Sequence, residues 1–79
     1  MTVNNAVAKR ISALLKEKNI TLYRLEQESG ILHVSMQCIM NGRNKTVTLS
    51  TVMMIANGFH MSLIEFLDDD IFRSKDIEL

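Results

Sequence analysis

At 79 residues with zero net formal charge, 47% hydrophobic and 23% charged residues, the chain holds enough apolar material for one small domain and too much to remain disordered. Its single cysteine, Cys38, excludes an internal disulfide, no run of about eighteen apolar residues offers a membrane span, and the opening MTVNNAVAKR is too polar for a secretory core, so a reducing cytoplasm is the expected compartment. Charge is segregated: residues 1–64 carry seven Lys/Arg against three Asp/Glu and residues 65–79 two against six, a basic body with an acidic tail that leaves a nucleic-acid partner open.

Ala6, Val7, Ile11, Leu14 and Leu15 recur at helical spacing with Lys9, Arg10, Lys16, Glu17 and Lys18 on the other face, which predicts a first helix over about 5–18. Asn19 is suited to a left-handed terminus, and Thr21 supplies the oxygen of an N-cap for a second helix that turns Leu22 and Leu25 inward. Ser29-Gly30 ends that helix at a tight turn, Ile31 serves as an apolar anchor beyond the turn, and Met36, Ile39 and Met40 mark a third helix over about 32–40, closed by Asn41-Gly42. GRNKTVT has no helical period. Thr48 then caps a strongly apolar fourth helix through Leu49, Val52, Met53, Ile55, Ala56 and Phe59, and Ser62 with Glu65 has capping-box spacing for a fifth over about 62–67. No segment alternates as a strand does, and the expected class is all-α.

Two short helices joined by a glycine turn meet at a wide angle, which lets the second stand out from the body and enter a major groove. The segment TLYRLEQESGILHVSMQCIMNGR resembles the helix-turn-helix of the lambda-repressor-like (Xre-type, Cro-like) DNA-binding family, with Leu25, Gly30, Ile31, Met36, Ile39 and Gly42 in its structural positions. The likeness extends through TLSTVMMIANGFHMSLIEFL, from about residue 5 to 67. It implies a five-helix domain over 1–67, with helices two and three as the motif, and an acidic tail over 68–79 that frays or contacts a second subunit.

Carried onto this chain, the family's base-reading positions are His33, Val34, Ser35, Gln37 and Cys38. A Gln amide pairs bidentately with adenine, His donates to guanine or phosphate, and Val meets a thymine methyl. The phosphate-holding positions are Thr21, Tyr23, Asn41, Arg43, Asn44 and Lys45, which set register without specifying sequence. Leu22 stands where a polar phosphate contact is common, Leu32 where Ser or Thr caps the third helix, and Glu26 where alanine is usual. Leu15 and Met40 replace an Arg–Glu pair together, an exchange that removes a desolvation cost. His60 takes the place of a left-handed glycine, a backbone state His tolerates.

Other chemistries are poorly served. His33 and Cys38 diverge by about 140° on a helix and have no second ligand pair, so no metal is expected. Cys38 reads as a spectator thiol, the stripe Met36, Met40, Met53, Met54 and Met61 as core, and Asp68-Asp69-Asp70 as solvated or partner-facing. No phosphate loop or nucleophile with a base partner points to an enzyme, and no cofactor or small-molecule substrate is implied. The expected function is a DNA-binding transcriptional regulator, a repressor acting as a homodimer on double-stranded DNA, with Phe66, Leu67, Ile71 and Phe72 as candidate dimer surface. The alternative is an interaction module or antitoxin-like partner on the same fold, with DNA binding weakened or lost.

Overall fold

Thr2 and Asn5 exchange side-chain and backbone hydrogen bonds across the first turn of helix α1 (Val3–Lys18), so the helix begins earlier than apolar spacing alone predicts. The structure is a computed structural model that describes all residues 1–79. Asn19 closes α1 in the left-handed region at φ 55°, ψ 49°. Thr21 accepts from the Arg24 amide to open α2 (Leu22–Ser29), which Gly30 ends at φ 78°. α3 (His33–Met40) comes after Ile31, which is buried, and Leu32, which stands at the N-cap with no side-chain hydrogen bond. Thr48 caps α4 (Leu49–Gly58), and beyond it His60 adopts φ 60°. Ser62 and Glu65 form the reciprocal cap of α5 (Leu63–Leu67). A single 3₁₀ turn over Asp70–Arg73 completes the order, and there is no strand.

The five helices share one core. Val7, Ile11 and Leu14 of α1 meet Leu25, Met36, Ile39, Ile55 and Phe66 in a single cluster, with Ile31 and Phe59 sealing the turns. α2 and α4 lie close because Gly58 has no side chain: a Cβ there would come within 2.8 Å of the Ser29 Cβ and 2.9 Å of the Leu25 Cδ1. Leu15 and Met40, the apolar residues standing in for an ion pair, are both partly buried against the cluster.

Three sequence expectations change. Of the methionine stripe, Met36 is buried and Met40 and Met61 pack on the core, but Met53 and Met54 face solvent, because they come after Val52 on a helix buried along one side only. Phe66 and Phe72 are not spare surface. Phe66 is fully buried, and the Phe72 ring lies on it at 6.0 Å between centroids, so the apolar residues of α5 left outside are Ile64 and Leu67. Arg10, assigned to the solvated face of α1, is folded inward: its Nε donates to the Phe66 carbonyl at 2.8 Å, its Nη2 to the Glu65 carbonyl at 3.1 Å and its Nη1 to Asp69 at 3.2 Å.

Residues after α5 run back along the start of α1. The Asp69 side chain pairs with Arg10 and accepts from the Ile71 amide, while Arg73 is held between Asp68 and Asp70. The Met1 ammonium donates to the Asp76 carbonyl and the Glu78 amide to the Met1 carbonyl, with a lone parallel bridge between Thr2 and Glu78. The two ends of the chain therefore meet.

Candidate nucleic-acid interface

Gly30 is the pivot of the motif. Its amide donates to the Glu26 carbonyl, the Ser29 hydroxyl accepts from the Ile31 amide, and a Cβ at Gly30 would touch nothing within 4 Å, so glycine is needed there for its positive φ and not for space. Met36 and Ile39 hold the underside of α3 in the core. The opposite side carries the base-reading set predicted from the resemblance. His33, Val34 and Ser35 are exposed, Val34 at 74%, whereas Gln37 and Cys38 are half-buried. The structure thus brings the five together on one short helix, with the first turn standing furthest out.

The predicted phosphate-holding residues divide between two places. Thr21 and Tyr23 sit at the start of α2, Thr21 with its hydroxyl engaged by the Arg24 amide and Tyr23 exposed with its hydroxyl accepting from Gln27 Nε2 at 2.8 Å. Asn41, Arg43, Asn44 and Lys45 are all exposed in the loop between α3 and α4. Arg43 and Lys45 have no carboxylate partner, in contrast to Arg24, which is paired with Glu28 at 3.0 Å.

That loop is fixed from below by residues the sequence does not single out. Asn4 is fully buried; its Nδ2 donates to the Ile39 carbonyl at 2.8 Å and its backbone amide to the Lys45 carbonyl at 3.1 Å, while its Oδ1 has no partner. Gly42 passes close by at φ 69°, where a Cβ would fall 2.9 Å from Asn5 Nδ2. The start of α1 therefore positions the end of α3 and the cationic loop after it. The one hint in the sequence is an amide residue inside an otherwise apolar helical face, at Asn4 beside Ala6 and Val7.

At the other end of α3, Glu26 reaches from α2 to His33, the first residue of α3. Its side chain is only 10% exposed, and its two carboxylate oxygens are 3.0 and 3.1 Å from His33 Nδ1. Exposed Leu32 leaves the first turn of α3 without a side-chain cap.

Two short helices joined by a left-handed glycine, a second helix with an exposed first turn and a cationic loop without carboxylate partners define the class as helix-turn-helix DNA-binding domains. Residues 10–70 match the family model described as the Cro/C1-type helix-turn-helix DNA-binding domain, and the chain belongs to that family. No curated protein and no solved structure matches the chain. Membership supports a DNA-binding regulator with DNA as its partner, in a family that is typically not enzymatic. No helix is long and apolar enough to cross a membrane.

Proposed function

We propose that this protein is a sequence-specific transcriptional regulator of the cytoplasm, a repressor that occupies its operator as a homodimer with α3 in the major groove. His33, Val34, Ser35, Gln37 and Cys38 face the bases, while Thr21, Tyr23, Asn41, Arg43, Asn44 and Lys45 grip the phosphates. The observation that carries this reading is the exposed first turn of α3 on the same short helix that leads into a loop whose Arg43 and Lys45 lack any carboxylate partner. Cations free of partners need not break an ion pair before neutralising phosphate. One short helix reads too few base pairs to be selective, so two copies are required, and Ile64 and Leu67 on α5 are apolar side chains available to join them. In this assignment residues 1–67 are the DNA-binding unit and 68–79 an acidic tail.

Fluorescence anisotropy with nonspecific and genomic duplexes at two salt concentrations tests the reading. Binding is expected to weaken with salt, and Arg43→Ala to weaken every duplex alike while lowering the salt slope by about 1. Gln37→Ala is expected to cost about 1–3 kcal/mol of discrimination at the base pair it meets and to leave nonspecific affinity intact. A second reading, a protein-interaction module on the same fold, is favoured by the apolar exposure of Leu32 at 76% next to Val34. It predicts no DNA binding even at low salt, which would overturn the first.

A further inference from the structure

The contact between Glu26 and His33 does more than join two helices. Glu26 is nine-tenths buried, its side chain has no hydrogen-bond partner other than His33, and both of its oxygens converge on one nitrogen of a ring that is itself 70% exposed at the outward start of α3. An ionised carboxylate can only accept, so the nitrogen it meets must carry the proton. An ionised Glu26 thus selects the tautomer with the proton on Nδ1, and in a neutral ring of that form Nε2 is left with a bare lone pair. With Nδ1 engaged by Glu26, Nε2 is the nitrogen of this exposed ring that has no protein partner.

We infer that Glu26 is a positioning residue for base selection: by fixing the His33 tautomer, it turns Nε2 into a hydrogen-bond acceptor with no protein partner. This rests on the reading of α3 as the base-reading helix. In the major groove an acceptor pairs with exocyclic amino hydrogens, those on adenine N6 and cytosine N4, and meets guanine N7 and O6 lone pair to lone pair. His33 in this setting selects adenine or cytosine, and the guanine contact suggested by residue type alone needs a second proton on the ring. Glu26 supplies this preference without touching DNA, and a residue with no acceptor at its position would release the ring to either tautomer.

The test has two arms. In DNA-free protein at alkaline pH, long-range ¹⁵N–¹H correlation of the His33 ring is expected to show the proton on Nδ1, and Glu26→Ala to move the population toward Nε2. Glu26→Gln, of nearly the same shape, covers the case in which the alanine variant does not fold. Its amide both donates and accepts, so it too should mix the tautomers. In the second arm, sites are selected from a random duplex pool with wild type and with Glu26→Gln. The wild-type preference for adenine or cytosine at one position per half-site should fall by roughly 2- to 10-fold in the variant, the worth of one hydrogen bond, while the other positions hold. A wild-type ring protonated on Nε2, or an unchanged preference in the variant, overturns the inference and leaves the DNA-reading assignment standing. A ring protonated on Nδ1 in a protein that binds no duplex overturns the DNA-reading assignment, and the selection role with it.

Discussion

Arg10 makes three directed hydrogen bonds from one planar group, and its side chain is only 11% exposed. Two of them go to carbonyls at the end of α5: that of Glu65, which also accepts the Asp68 amide, and that of Phe66, for which a helix of five residues has no further turn. The guanidinium also lies over the Phe66 ring at 5.8 Å. Lysine offers a single ammonium and cannot span the same acceptors. Arg10→Lys should therefore lower stability as well as Arg10→Ala, the alanine variant by about 1–3 kcal/mol, because it removes the side-chain donor to the part-buried Phe66 carbonyl and the cation paired with Asp69. Urea unfolding measures both, and an unchanged midpoint for Arg10→Ala would refute the assignment. None of this was legible in the sequence, since the partners of Arg10 lie 55 to 59 positions away and a helical pattern counts only near neighbours. The Glu26–His33 contact was hidden for a related reason. Its partners are seven residues apart across a turn whose angle had first to be known.

At the scale of elements, hydroxyl caps open four of the five helices, through Thr2, Thr21, Thr48 and Ser62. Three of those four were readable from residue type ahead of an apolar period. Thr2 was not, because its partner Asn5 lies in a polar stretch that masks the helix start. α3 is the exception, with Leu32 already in the extended conformation of an N-cap at φ −64°, ψ 147° but with no oxygen to offer. Leu32→Ser should supply one and raise stability by about 1 kcal/mol, since the exposed leucine gives up little burial. A thermal unfolding midpoint that stays put or falls would contradict this. The cap of α5 makes a prediction in pH. The Glu65 carboxyl is held below the usual carboxylate range, first by the backbone amide of Ser62 and then by its side chain. A folded-state pKa lowered in this way contributes stability above the ordinary carboxylate pKa, and that contribution is lost as pH falls through the lowered value. The stability gap between wild type and Glu65→Gln should accordingly close on acidification, as monitored by urea unfolding across the acidic range. A gap that widens would reverse the sign of the effect.

At the scale of the whole molecule, the arrangement resolves the apparent conflict between zero net charge and a DNA partner. Asp68, Asp69 and Asp70 are spent on Arg10 and Arg73, whereas Lys9, Lys16, Lys18, Arg43 and Lys45 have no carboxylate partner. Affinity for phosphate depends on such unpaired groups and not on the total. The order of five helices and the turn at Gly30 were legible because periodicity and turn chemistry are local signals. The return of the last residues to Met1 and Thr2 was not, because it consists of backbone contacts that no residue type announces. The same limit applies to Asn4, whose side-chain amide holds the Ile39 carbonyl of α3 and whose backbone amide holds the Lys45 carbonyl of the cationic loop. The proposed function turns on α3 meeting DNA with its outward first turn. Titrating isotope-labelled protein with a selected duplex, and mapping the backbone amide shifts, tests this most directly. The largest changes are expected at His33 to Cys38, with a second group at Thr21, Tyr23 and Asn41 to Lys45. Changes centred instead on α5 and the chain ends, with α3 unmoved, would contradict it.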